Sequence, residues 1–121
     1  MNQSQTVLLI DDEEIIRISF SGFLTHGGYA VLEARDGEEG WCLFRQHVDQ
    51  IDLIITDCNL PGMGGEELCA QARILNPSVK AILVTGDERE KDALEDAQAI
   101  LKKPVPMAIL LQTVRTVLDM K

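Results

Sequence analysis

Positive charge is scarce in this chain, with 11 Lys and Arg against 20 Asp and Glu and a formal net charge of -9. A surface of that sign repels nucleic acid and anionic lipid, so direct nucleic-acid binding and membrane-surface binding are not expected, while basic or cationic partners are favoured. Long apolar runs are missing too: no stretch approaches the roughly 18–20 residues that a membrane-spanning helix needs. The polar start MNQSQ has neither the basic nor the apolar region of a signal peptide. The cytoplasm is the expected location. Cysteine is limited to Cys42, Cys58 and Cys69, an odd set without paired metal-binding spacing, which gives a disulfide framework or a zinc site no support. All three are expected to be small buried hydrophobes in a reducing compartment. Repeats, linkers and low-complexity tracts are also absent. A chain of 121 residues, 45% hydrophobic and 26% charged, is enough for one core and one domain, residues 1–121.

Two kinds of segment alternate along the chain. TVLLID (6–11) is a continuous apolar run, and from Glu14 to Leu24 apolar residues recur at Ile16, Phe20, Phe23 and Leu24, the period of an amphipathic helix closed by Gly27 and Gly28. YAVLEA (29–34) predicts a second strand, and the next helix carries Trp41, Phe44 and Val48 on one side, as core rather than as a stacking platform. IDLIIT (51–56) is a third strand, and a helix from Glu66 to Leu75 stops at Asn76 and Pro77. KAILVT (80–85), a short charged helix around 88–97, a brief strand at Ile100 and Leu101, and a last helix from Met107 complete the pattern.

Five strands alternating with five helices predict a doubly wound α/β fold: a five-stranded parallel sheet of order 2-1-3-4-5 with helices on both faces. The nearly continuous apolar strands fit burial on both faces. In such sheets ligands sit outside the carboxyl ends of the strands, near the switch between strands 1 and 3. Those ends carry Asp11 and Asp12, Asp57, Thr85 and Lys103. Neighbouring strands lie about 4.8 Å apart, so the acidic pair and Asp57 come within reach of one cation. Lys103 is two strands away, a span that its long side chain can cover. Three carboxylates in one place repel one another, and a hard divalent cation such as Mg2+, which binds through carboxylates, waters and a phosphate, relieves that.

Taken together, VLLIDDEE with Arg17 close behind, DLIITDCNLPGMGGEEL, the strand ILVTG and the pair Lys103-Pro104 resemble the receiver domain of two-component response regulators. The resemblance covers essentially the whole chain, in order. It implies that Asp57 is the phosphoacceptor, taking a phosphoryl group from a histidine kinase or phosphotransfer protein. It also implies that Asp11, Asp12, Asp57 and the backbone carbonyl of Asn59 hold Mg2+. Lys103 pairs with a phosphoryl oxygen, and the Thr85 hydroxyl moves to another and reports phosphorylation. The output is a population shift on a surface that contacts an output domain or downstream protein. By the same resemblance, the exposed side of helix 1, Arg17 included, is a kinase-contact region. The last two helices offer a surface for a target or a homodimer. The glycines of PGMGG permit a turn that aims the Asn59 carbonyl at the metal.

Each feature alone has a plainer explanation. Asp11 to Glu14 suit the first turn of a helix, Thr85 is an ordinary strand residue, Lys103 could be surface charge as Lys102 is, and PGMGG could be only a turn. His26 and His47 are isolated surface residues. Their joint placement is what points to a site. The chain also departs from the family pattern. Ile100 stands three positions before the lysine, where an aromatic switch residue is common. The segment between Thr85 and Lys103 is short, with Asp96-Ala97 where Gly-Ala often stands. Asn59 and Asp87 are placed to tune the phosphate lifetime. Two rival functions share part of the pattern. An aspartyl phosphohydrolase needs an acid-base aspartate where Asn59 stands, and a phosphorylation-independent interaction module would not need the full set of site residues.

Overall fold

The computed structural model describes residues 4–86 and 97–120. Among the described residues nine elements follow in order: β1 (Thr6–Ile10), α1 (Glu14–His26), β2 (Ala30–Ala34), α2 (Gly37–Gln46), β3 (Ile51–Asp57), α3 (Gly65–Leu75), β4 (Lys80–Thr85), β5 (Ala99–Lys102) and α4 (Met107–Leu118). All four strand pairings are parallel, and the sheet order is β2-β1-β3-β4-β5, as expected. The helix expected around 88–97 falls on residues 88–96, outside the described residues, as do Asp87 and Asp96.

Side-chain alternation along the strands builds two cores. Leu8, Ile10, Ile54, Ala81 and Leu83 point to one face and meet Phe44 of α2 with Leu68, Cys69 and Ala72 of α3. Val7, Leu9, Leu53, Ile55, Ile82 and Val84 point to the other, against Phe20 and Leu24 of α1 and Leu110, Val114 and Val117 of α4. The period of 2 in the strands thus meets the period of 3.6 in the helices on both sides of one sheet. Burial on both faces holds for β1, β3 and β4 but not for the edges. In β2 only Ala34 is buried, and β5 has no fully buried residue. An edge strand has a neighbour on one side only, so its apolar sequence does not guarantee cover.

Local chemistry sets the boundaries. Asp36 caps α2 by accepting from the Glu39 amide at 2.8 Å, and Glu39 reaches back to the Arg35 amide at 2.6 Å, a reciprocal arrangement that fixes the helix start. Gly28, at φ +100°, turns the chain out of α1 where a side chain would be strained. Cys58 and Cys69 are buried as expected, but Cys42 is exposed. It lies on the solvent side of α2, whose core stripe is Gly37, Gly40 and Phe44, so the expectation of three buried thiols fails there. Trp41 packs on the edge of the core and stacks with Phe44 at 6.0 Å between ring centroids.

Candidate functional site

The strand register brings the carboxyl ends to one level. Ile10 pairs with Thr56, Asp57 with Val84, and Thr85 with Lys102. The ladders continue one residue further: the Asp11 amide donates to the Ala34 carbonyl at 3.1 Å, Cys58 to Val84 at 3.0 Å and Lys103 to Thr85 at 2.7 Å. Backbone pairing therefore places Asp11 level with Asp57, with Thr85 one residue and Lys103 two residues further along at the same edge of the sheet, before any side chain acts.

The side chains converge on Asp57. Carboxylate oxygens of Asp11, Asp12 and Asp57 lie within 4.8 Å of one another. Asp11 and Asp57 are buried while Asp12 is exposed, which leaves the cluster an open side. Lys103 Nζ donates to Asp57 Oδ2 at 2.5 Å and to Glu13 Oε1 at 3.2 Å. The Asn59 amide donates to Asp57 Oδ1 at 2.9 Å, an Asx-type turn that starts the loop. Both oxygens of Asp57 are thus held, one by the ammonium and one by the main chain. Asp11 Oδ1 accepts from the Glu13 amide at 2.8 Å.

The loop after Asp57 is shaped by close approach. Gly62 has φ +75°, and a Cβ on Gly65 would sit 2.3 Å from the Asp57 carbonyl oxygen. A glycine at 65 therefore lets α3 begin directly against the end of β3. Burial raises the Asp11 pKa above its ordinary 3.8, opposed by the Glu13 amide and the Lys103 charge and reinforced by Asp57 and Glu13. Burial pulls the Lys103 pKa down, but the bond to Asp57 and the surrounding carboxylates outweigh it and the net shift is upward. Negative charge is in excess at this spot, and the ligand atoms that Asp11, Asp12 and Asp57 offer are hard oxygens, so the cluster fits a hard divalent cation.

Of the residues expected here, Asp11, Asp12, Asp57 and Lys103 come together, and Asn59 joins them through its main-chain amide. Thr85 is buried at the end of β4, one residue past the partner of Asp57. Ile100 pairs with Leu83 and packs on the core face shared with α2 and α3. Arg17 is a correction. It was expected on the exposed side of helix 1, yet it is 8% exposed and turns inward, donating from Nη1 to the Asp11 carbonyl at 2.9 Å and from Nε to Glu33 at 3.3 Å. Its spacing could have shown this, because Arg17, Phe20 and Leu24 form the buried stripe of α1 at helical i, i+3, i+7 positions. Glu13, the second partner of Lys103, was also missed. It stands directly after the acidic pair, and nothing in the sequence separates it from its neighbour Glu14.

The sequence profile of the response regulator receiver domain matches residues 7–115. This chain belongs to the response regulator receiver domain family. The receiver is similar to part of the sensor kinase CckA of Brucella abortus, 31% identical over 98% of this chain and 13% of that protein. It is 34% identical to a cyclic di-GMP phosphodiesterase of Thermotoga maritima over 87% of this chain and 28% of that one. The chain therefore spans a small part of the length of these relatives. Its fold superposes on a response regulator receiver domain protein of Clostridium thermocellum with a TM-score of 0.88, at 28% identity, covering 95% of this chain and 94% of that one. Receiver domains are regulatory phosphoacceptor modules of two-component signalling, and that is the class of function of this domain. Among the described residues, no helix is long and apolar enough to cross a membrane.

Proposed function

We propose that Asp57 is the phosphoacceptor, and that the domain, residues 1–121, acts as a single receiver. The observation that carries this reading is the convergence of Lys103 Nζ, the Asn59 amide and the two carboxylates of Asp11 and Asp12 on the Asp57 carboxylate. An oxygen of Asp57 forms the new O–P bond as the P–N bond of a phosphohistidine breaks, with the electron pair leaving on the imidazole nitrogen. Lys103 exchanges its contact with Asp57 for one with an equatorial phosphoryl oxygen, and the Asn59 amide keeps the carboxylate oriented throughout. Asp11, Asp12, Asp57 and the Asn59 carbonyl are the residues that would hold Mg2+. The ion's chemistry there is neutralisation of the phosphoryl charge.

Thr85 then offers its hydroxyl to the phosphoryl group, and Ile100, in place of an aromatic, repacks on β5 as the switch. The phosphorylated state favours one conformation of a partner-binding surface only as far as its contacts differ between the two states. The donor is a histidine kinase or a phosphotransfer protein. The recipient is an output domain or a separate protein, with a homodimer as a further form of output. Self-hydrolysis of the acyl phosphate, by water reaching it from the exposed side at Asp12, returns the domain to its starting state. The test is intact mass after incubation with Mg2+ and acetyl phosphate. One added phosphoryl mass, lost without Mg2+ and in Asp57→Asn, supports the reading. No added mass on folded protein from either acetyl phosphate or a phosphorylated kinase overturns it in favour of an interaction module.

A further inference from the structure

We propose that Arg17 is a positioning residue that sets the acidic pair for its cation, rather than a contact for a partner protein. This rests on the reading of Asp11 and Asp12 as metal ligands. After β1 the chain leaves the sheet at Asp11, and the buried Asp11 carbonyl takes its donor from a side chain, Arg17, rather than from a strand amide. A buried carbonyl without a donor is costly, and a charged donor is the strongest remedy. Arg17 Nη1 supplies it at 2.9 Å, and the same guanidinium is anchored by Nε on Glu33 of β2 at 3.3 Å. The Asp11 amide is held by β2 as well, through the Ala34 carbonyl at 3.1 Å.

Both main-chain polar groups of Asp11 are therefore tied to the edge strand, the amide directly and the carbonyl through Arg17. The side chain is tied to the turn through the Glu13 amide. A guanidinium holds its donors in a planar fork, so Arg17 reaches the main-chain carbonyl and the carboxylate from two separate nitrogens, Nη1 and Nε, where a lysine has one. Arg17 touches no reacting atom. Its effect reaches the site through the backbone that carries Asp11 and Asp12, as outer partners of metal ligands commonly do.

The test compares Arg17→Met, which keeps the aliphatic stem and removes the donors, with Val117→Ala, a destabilising change in the α4 core remote from the site. Two quantities are read on each: the Mg2+ dissociation constant by calorimetry, and amide hydrogen exchange at Asp11 and Glu13 in metal-free protein. For Arg17→Met we expect Mg2+ affinity to fall about 10-fold or more and exchange at these two amides to speed by about 10-fold. Val117→Ala should move neither. The proposal is overturned if Arg17→Met matches Val117→Ala in both, or if exchange speeds while Mg2+ affinity stays at wild type, since Arg17 would then be structural only. If the wild-type protein itself binds no Mg2+, the reading of the site fails and the role of Arg17 toward a cation falls with it, an outcome told apart from a failure of Arg17 alone by the wild-type titration. Should Arg17→Met not fold, Arg17→Lys is read in the same two ways.

Discussion

Two glycines give opposite expectations for the same substitution. Gly65 opens α3 against the end of β3, and a Cβ there would lie 2.3 Å from the Asp57 carbonyl oxygen, 3.0 Å from Thr56 Cγ2 and 3.1 Å from the Asp57 carbonyl carbon. Ordinary contact begins at 3.4 Å, so the overlap with main chain is about 1 Å. β3 is the middle strand of the sheet and is paired on both sides, so α3 is the element that must move. Overpacking of this kind costs about 1–3 kcal/mol, against a gain of at most about 1 kcal/mol from replacing glycine by alanine in a helix. With the full helix gain subtracted the net cost is about 0–2 kcal/mol, and for a domain of this size each kcal/mol shifts Tm by about 4 °C, so Gly65→Ala should melt up to about 8 °C below wild type. Gly22 sits within α1, exposed, with nothing within 4 Å of an added Cβ. Gly22→Ala should therefore raise Tm by about 2–4 °C. Thermal unfolding followed by circular dichroism reads both. Equal and upward shifts for the two variants would refute the close approach of α3 to the site.

Other expectations concern charge and core. Asp11 has a folded-state pKa above its ordinary 3.8, so the folded state holds this proton more tightly than the unfolded chain does. The resulting penalty is fully present above the raised pKa and disappears as pH falls below 3.8. Asp11→Asn should therefore stabilise the metal-free protein by about 0.5–2 kcal/mol at neutral pH, with the gain shrinking in denaturant titrations run at lower pH, and should weaken Mg2+ binding. Lys103→Met leaves Asp57 and Glu13 without their shared cation. The metal-free protein should lose about 1–3 kcal/mol, and added Mg2+ should recover a larger part of stability than in wild type, measured by Tm against Mg2+ concentration. Leu83→Ala empties a fully buried position between β4 and its helices and should cost about 2–5 kcal/mol with an unchanged urea m value.

Much of this was legible in the residues because each strand marks its own end. β1, β3 and β4 read as apolar runs that stop at a polar group, and in a sheet of order 2-1-3-4-5 those stops fall within one residue of a common level. The reach of Lys103 across two strands followed from side-chain length alone, and its contact with Asp57 bears that out. The misreadings share a different cause. Arg17 was placed on an exposed face by the family resemblance although its helical spacing belonged to Phe20 and Leu24. Burial of a charge depends on partners in other elements, here the Asp11 carbonyl and Glu33, which a local pattern does not display. Cys42 was assigned by residue type, and the neighbouring core positions of α2 set its exposure instead. Edge strands β2 and β5 are as apolar as central ones in sequence, and only the sheet order shows which lack a second neighbour.

The central claim is that a phosphoryl group is carried by Asp57, and the most direct measurement locates it chemically. The protein is treated with Mg2+ and acetyl phosphate, reduced with borohydride so that an aspartyl phosphate becomes homoserine, digested, and sequenced by tandem mass spectrometry. The account predicts homoserine at position 57 and its disappearance when Mg2+ is withheld. Homoserine at Asp11 or Asp12 with Asp57 intact, or phosphate on any other residue, would contradict it.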